Sequence, residues 1–461
     1  MYIQQLYTNC LAEAAYYIES GGEAAIIDPI RETEPYLELA AKRGATIKYI
    51  FETHFHADFV SGHIDLSKKT GATIIYGPMA ETKYSVVNAK DGEFFSLGKV
   101  KIKTLHTPGH TPESSCYLLF DENGKEHAVF SGDTLFVGDV GRPDLLDGKM
   151  SSEELANMLY DSLNNKIKTL PDSVIVYPAH GAGSSCGKNI GKETFSTIGE
   201  QKKFNYALKA ATREQFIKEV TEGILPPPQY FFEDARINKD GYDSVDHVMK
   251  KSNRPLTAHQ FEEALQQGAL ILDTRSADDF EKGYIPGSIN IGLNGQYAIW
   301  VGTLIDIQQP LILITEPGKE HESILRLARV GYENVGGYLA DGIHGWKKEL
   351  EAVKSIQPDA MKQEIKNGAE VIDVRKPSEW TISHVKNALF LPLSGMPSNL
   401  SEKDKAKPYL VHCGGGYRSM TAISLMKRQG FKNLTNIYGG FGAILNAGVE
   451  IEAEDTAVAL N

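Results

Sequence analysis

The stretch "ETHFHADFV", residues 52–60, closes a β-branched apolar run (ATIKYIF, 45–51) and opens a turn. The spacing His54-x-His56-x-Asp58 lets a loop point several ligands at one place, and a strand end gives that loop a rigid base. The next residue, Phe59, sets an apolar ring where a two-metal hydrolase needs another imidazole. One ion rather than two is the expectation.

Three further pieces supply partners: "TPGHTPES" with His110, "SGDTLFVGDVGRPD" with Asp133, and "YPAHGAG" with His180. Each sets a potential ligand in a Gly- or Pro-bearing turn. Around them, short β-branched runs (AAIID, ATIIYG, KVKIKTL, HAVFSGD, SVIVYP) alternate with helical stretches (EPYLELAAKRG, SSEELANMLYDSLNNKI). The segment LPPPQYFFED (225–234) carries three consecutive prolines, cannot continue a helix, and closes this first domain at about residue 235. Two histidines and one carboxylate on one face of a metal leave positions open, which suits iron(II) that must bind a substrate and dioxygen together. A hydrolytic pair of ions needs more ligands and a bridging water. His63 and His106 lack support of this kind and read as structural.

Beyond the prolines lies an internal repeat. "LILDTRSADDFEKGYIPGSINI" (270–291) and "EVIDVRKPSEWTISHVKNALFL" (370–391) share Asp-x-Arg at 273/275 and 373/375. Each copy reads strand, helix, strand, helix, hence a small α/β domain with a mainly parallel sheet. Aligning Pro310 with Pro408 sets PLILITEPGKE against PYLVHCGGGYR, so Thr315 falls where the second copy has Cys413.

"VHCGGGYRS" (411–419) follows an apolar strand and precedes a helix. Backbone N–H groups of Gly414, Gly415, Gly416 and Tyr417 can form an anion nest, and the helix start adds partial positive charge. Both favour thiolate at Cys413, and Arg418 adds a second anion-holding group. Four residues separate Cys413 from Arg418, one fewer than in the tyrosine phosphatase loop, and the smaller ring suits a persulfide sulfur better than a phosphate. Cys10 and Cys116 read as packing residues.

The chain has 461 residues, room for roughly three domains. A formal net charge of −12 without a basic segment argues against nucleic acid or an anionic membrane as main partner. No apolar run reaches the ~18 residues of a membrane span. Four cysteines make no disulfide framework and suit a reducing compartment, and the N-terminus lacks the pattern of a secretory signal, so a cytoplasmic location is expected.

Residues 1–235 resemble the metallo-β-lactamase superfamily, and within it the persulfide dioxygenase branch, through THxHxD, TPGHT, SGD and GRPD in order. The resemblance implies an αβ/βα sandwich and one Fe(II) per chain on His54, His110 and Asp133. His56, Asp58 and His180 would then orient the ligands or hydrogen-bond iron-bound water. It also implies a substrate contact for Arg142, whose fork suits a carboxylate; a buried ion pair is the alternative. After His180, "HGAGSSCGKN" departs from the stretch typical of glutathione-using members. Cys186 in it is either a sulfur relay or a small turn residue.

Residues 355–455, within a last domain expected to span 355–461, resemble the active rhodanese sulfurtransferases, and 250–352 a rhodanese fold without its nucleophile, serving as spacer, docking surface or dimer contact. The whole chain is thus expected to be α/β throughout, a metallo-β-lactamase sandwich followed by two rhodanese-like domains. The implied chemistry is oxidation of a low-molecular-weight persulfide by O2 to sulfite, with Cys413 passing sulfur to sulfite or drawing it from thiosulfate. A homo-oligomer is expected. The alternatives are a zinc thioester hydrolase of the glyoxalase II kind fused to rhodanese, and a non-catalytic sulfur sensor or scaffold.

Overall fold

A computed structural model describes residues 1–146, 149–396, 400 and 403–453; the end of the last expected domain, 454–461, lies outside the described residues. The chain forms two compact units, Met1–Val248 with Leu327–Tyr332, and Met249–Arg326 with Glu333–Asn461. No helix among the described residues is long and apolar enough to cross a membrane.

The first unit holds two six-stranded sheets. One runs in chain order: Tyr2–Thr8, Glu13–Ser20, Glu23–Ile27, Thr46–Phe51, Thr73–Tyr76 and Val87–Asn88. The other runs in reverse order from Ser196–Thr197 through Ile175–Pro178, Glu126–Gly132, Ser115–Phe120 and Val100–His106 to Phe94–Leu97. Side chains alternate across a strand, and the sequence uses this directly. Tyr16, Ile18, Ile27, Tyr117 and Leu119 share one core cluster. The interleaved Cys116 and Leu118 join a second, with Leu159 of the helix Ser152–Ser162. Sheet packs on sheet and helices cover the outside, which is the expected αβ/βα sandwich. The helix Ser152–Ser162 begins with a capping box between Ser151 and Glu154, a device that stabilises a helix start by about 1 kcal/mol.

Strand ends carry the ligand loops. Thr46–Phe51 leads to His54 and Glu126–Gly132 to Asp133. At that crossing Gly132 adopts φ +52°, and a Cβ there would lie 2.5 Å from Thr53 Oγ1, so only glycine lets the two loops approach.

The second unit contains two five-stranded parallel sheets of equivalent order. In the first repeat the order is Pro255–Leu256, Val335–Leu339, Leu311–Ile314, Leu270–Asp273, Ile289–Asn290. In the second it is Lys354–Ile356, Leu434–Ile437, Tyr409–His412, Glu370–Asp373, Leu389–Phe390. Each central strand is wholly buried, matching the unbroken apolar runs LILI and YLVH.

Candidate functional site

His54, His110 and Asp133 come together, with one ligand atom of each within 4.8 Å of the others and all three buried. Nε2 of His54 lies 3.8 Å, and Nε2 of His110 3.4 Å, from Asp133 Oδ2. The other ring nitrogens are engaged. Thr53 Oγ1 donates to Asp28 Oδ2 (2.8 Å) and stands 3.0 Å from His54 Nδ1, so it can accept from that nitrogen. His110 Nδ1 donates to the Arg142 carbonyl at 2.8 Å. An imidazole whose Nδ1–H is so committed presents the Nε2 lone pair. Burial, with His56, His110 and His180 nearby, holds His54 well below the usual imidazole range, in the neutral form a metal ligand requires.

His110 Nε2 and both Asp133 oxygens have no hydrogen-bond partner despite their burial. An unpaired buried carboxylate is costly, and a cation at this point would satisfy His110 Nε2 and Asp133 Oδ2; unpartnered atoms also occur on His56, Asp58 and His180. The donor set therefore fits a metal ion.

His56, Asp58 and His180 form a neighbouring group, also within 4.8 Å. His180 Nε2 lies 3.4 Å from Asp58 Oδ2 and 3.5 Å from Asp133 Oδ1, so the two groups meet at Asp133. His56 Nε2 faces Asp28 Oδ1 at 3.1 Å, and its ring lies against Phe59 with centroids 4.3 Å apart. The buried Phe59 brings no ligand atom to this second group.

Sequence reasoning overlooked Asp28, Glu52 and Asn238. Asp28, at φ +49°, accepts from the Thr53 amide (2.7 Å) as well as its hydroxyl. Glu52 accepts from Ser61 Oγ at 2.6 Å and faces His56. A signal existed for both, since a carboxylate ending an apolar strand (AAIID, YIFE) must be used for something. Asn238 lies in the helix Phe231–Asp240, after the prolines, and its amide donates to the carbonyls of His56 and Phe59 at 2.8 Å each. Nothing local in the sequence announces a contact across 182 residues.

Arg142 takes the ion-pair role. Its fork closes on Asp144 (2.6 and 2.7 Å) and also donates to the Ser185 and Leu225 carbonyls. With those donors engaged it holds loops together, and we assign it no substrate contact. Cys186 is buried beside Asp133 and His180; burial first, then the Asp58 and Asp133 carboxylates, push its thiol well above the usual range, which disfavours the nucleophilic thiolate. His63 pairs with Tyr84 and Glu52, and His106 with the Pro112 carbonyl, as structural residues do. Cys116 is buried and Cys10 half-buried.

In the second unit, Cys413 ends the strand Tyr409–His412, and Gly416 (φ +108°) precedes the helix Tyr417–Arg428. The Gly416 amide donates to Cys413 Sγ at 3.1 Å, and Ser419 Oγ lies 3.7 Å from the sulfur. Arg418 makes a two-pronged pair with Glu379 (2.5 and 2.9 Å), which holds that carboxyl down at about 2. A cavity of about 560 Å³ opens beside Cys413, Gly415, Tyr417 and Arg418. A Cβ on Gly414 would lie 3.0 Å from the Arg418 guanidinium, so this glycine keeps the arginine close. Thr315, at the corresponding place in the first repeat, is buried with its hydroxyl unpartnered.

Residues 8–180 match the metallo-β-lactamase superfamily. Two curated relatives match at the same identity. The mitochondrial persulfide dioxygenase ETHE1 of Homo sapiens is 31% identical over 209 residues, covering 45% of this chain and 74% of that one. A probable hydroxyacylglutathione hydrolase of Schizosaccharomyces pombe is 31% identical over 219 residues, covering 42% and 81%. The chain belongs to the metallo-β-lactamase superfamily. Among solved structures of that superfamily, a metallo-β-lactamase from Staphylococcus aureus subsp. aureus COL aligns with 34% identity and TM-score 0.66, covering 74% of this chain and 98% of that chain. Rhodanese-like domains match residues 257–349 and 357–447. The two curated relatives, one named a persulfide dioxygenase and one a probable hydroxyacylglutathione hydrolase, are equally similar to this chain, so the choice between them rests on the site.

Proposed function

We propose that the chain is a persulfide dioxygenase (1–235) joined to a nucleophile-free rhodanese repeat (250–352) and an active sulfurtransferase (355–461). The observation that carries the reading is Phe59. It packs on His56 and adds no ligand atom to the second group of His56, Asp58 and His180, which supports a single ion on His54, His110 and Asp133. These three residues would hold a single iron(II), which would supply vacant positions for a persulfide and O2; overall the outer sulfur gives four electrons to O2, and water supplies the third oxygen as the S–S bond breaks, so that sulfite and the free thiol leave. The residues around it do the rest. Thr53 and the Arg142 carbonyl fix the two imidazoles, and Asp28 restrains His56. Asp58 and His180 flank Asp133 with polar atoms able to hold water, while Phe59 keeps one side dry.

At the second site Cys413 Sγ attacks the sulfane sulfur of a persulfide or of thiosulfate. The S–S bond breaks, its electron pair leaves on the thiolate or sulfite, and Cys413 keeps the sulfur as a persulfide. The Gly416 amide stabilises the sulfur anion. Attack on this persulfide by sulfite returns Cys413 and forms thiosulfate.

The test is oxygen uptake by iron-loaded full chain across a panel of persulfides, with metal analysis. One iron per chain and persulfide-dependent uptake are expected, and Phe59→His should raise the metal content toward two. The convergence of His56, Asp58 and His180 favours the thioester hydrolase as second reading. Two zinc ions per wild-type chain, thioester hydrolysis and no oxygen uptake would establish it instead.

A further inference from the structure

The cavity beside Cys413 is not made by the second repeat alone. Asn294, Gly295, Gln296 and Trp300 of the first repeat line it opposite Arg418 and Lys376. The wall is fixed at three points along the helix Tyr417–Arg428: Tyr417 Oη donates to the Gly292 carbonyl (2.7 Å), Ser424 Oγ accepts from the Asn290 amide (3.0 Å), and Arg428 donates to the Gly287 carbonyl (3.0 Å). Behind it, the buried Arg326 donates to the carbonyls of Leu293 (2.7 Å) and Gly295 (3.2 Å). The fit leaves no slack. A Cβ on Gly295 would lie 2.6 Å from the Tyr417 ring.

The contents of the cavity suggest what it takes. Its volume, about 560 Å³, falls among pockets for small organic ligands, roughly 300–1,000 Å³, and an ion as small as sulfite leaves most of it empty. Trp300 offers an aromatic surface, and Asn294 and Gln296 offer amides. Arg418 is neutralised by Glu379. The backbone amide of the exposed Lys376 donates to Glu379 (3.0 Å), but its ammonium forms no ion pair among the described residues, so a positive charge remains at the rim.

We propose that the first repeat is the acceptor-recognising half of the Cys413 site: Asn294, Gln296 and Trp300, together with the Lys376 charge across the cavity, select an organic thiol bearing a carboxylate or phosphate, and Arg326 is the positioning residue that holds their loop. In the transfer, the acceptor thiolate attacks the outer sulfur of the Cys413 persulfide. The S–S bond breaks with its electron pair returning to Cys413 Sγ, and the acceptor leaves as R–S–S⁻, with no net oxidation. The inference rests on the sulfurtransferase reading.

The experiment uses the full chain with thiosulfate as donor, and compares kcat/KM for glutathione (carboxylates), coenzyme A (phosphates), uncharged 2-mercaptoethanol and isotopically labelled sulfite, whose incorporation into thiosulfate reads the exchange. The wild type should prefer one or both anionic thiols to 2-mercaptoethanol by at least tenfold, and whichever of the two wins identifies the anion. Gln296→Ala, Trp300→Ala and Arg326→Met should each lower the ratio of anionic thiol to sulfite at least tenfold, chiefly through KM for the thiol, and Arg326→Lys should restore part of it. Should Trp300→Ala fail to fold, Asn294→Ala with Gln296→Ala decides. A ratio unmoved by these changes, or organic and inorganic acceptors falling in parallel, would overturn the proposal. If Cys413 never gains the mass of a sulfur atom from thiosulfate or persulfide, the sulfurtransferase reading itself fails; if it loads and serves sulfite but no organic thiol, only this inference does.

Discussion

In the first repeat the strand Leu311–Ile314 ends in Thr315, and in the second the strand Tyr409–His412 ends in Cys413. Around these residues the repeats are alike. Asp273 and Asp373 each accept the fork of the arginine two residues on, Arg275 or Arg375 (2.6 and 2.7 Å), and each arginine also reaches a carbonyl, of Gly283 or Ser383. Of the next five residues the third is a glycine at positive φ in both, Gly318 (+82°) and Gly416 (+108°), and the other four differ in ways that matter to an anion. The second repeat has three glycines, Tyr417 and Arg418; the first has Glu316, Pro317, Gly318, Lys319 and Glu320. Proline removes a donor from the nest, and Glu320 sets a negative charge where Arg418 sets a positive one. The scaffold has been kept while the charge of the loop has been inverted. A fold persists by its buried ion pair and strands; its chemistry resides in one turn.

The largest effect that sharpens the contrast is loss of the nucleophile. Cys413→Ser should lower thiosulfate-dependent sulfur transfer on the order of 10³-fold or more, with persulfide-dependent oxygen uptake retained, while Thr315→Ala leaves transfer unchanged. Equal losses from both would erase the distinction. Next come the shared pins. Asp273→Asn and Asp373→Asn should each cost about 3–5 kcal/mol, because each strands a buried guanidinium. Urea unfolding of the two variants measures this, and a cost confined to the second repeat would mean that the first has lost its scaffold role.

The same contrast explains what could be read in advance. Buried strands such as LILD and EVID are legible because an unbroken β-branched run has few other uses. The ligand loops were legible because His and Asp in Gly- and Pro-bearing turns have a chemical reason to be there. Tyr2–Thr8 and Glu13–Ser20 were not recognised as strands, since the first is half-buried throughout and Asn9 to Ala12 between them carries no Gly or Pro turn signal. The loop of Asn294 to Gln296 was invisible as a site for another reason. LNGQ reads as an ordinary turn, and its meaning comes from Tyr417 and Arg326, which the fold brings to it from other elements.

A smaller effect concerns Arg418. Its pair holds Glu379 at about 2, so the stabilisation is present above the ordinary carboxylate range and is lost progressively as pH falls from that range through about 2. Between pH 5 and 9 the pair is therefore constant. Glu379→Gln should lower kcat/KM for transfer about fivefold, equivalent to about 1 kcal/mol for a partly exposed pair, with the acid limb of the pH profile unmoved. A displaced limb would show that this carboxyl titrates in the working range.

The smallest effect is the most demanding of the comparison. Thr315→Cys, made together with Cys413→Ser, restores a thiol at the equivalent strand end, buried and on the same kind of sheet. It should recover less than about a hundredth of the wild-type transfer rate, because a thiol reacts as its thiolate. Glu316 and Glu320 raise the cost of that charge, Glu320 also takes the Gly318 amide that corresponds to the Gly416 donor (3.2 Å), and Pro317 offers no N–H of its own. Adding Glu320→Arg and Pro317→Gly should raise the rate stepwise, read as the gain of a sulfur atom's mass on the introduced thiol after a thiosulfate pulse. Full activity from the single introduced thiol would locate the chemistry in the sheet and helix rather than in the turn, and the contrast drawn between the repeats would collapse to one atom.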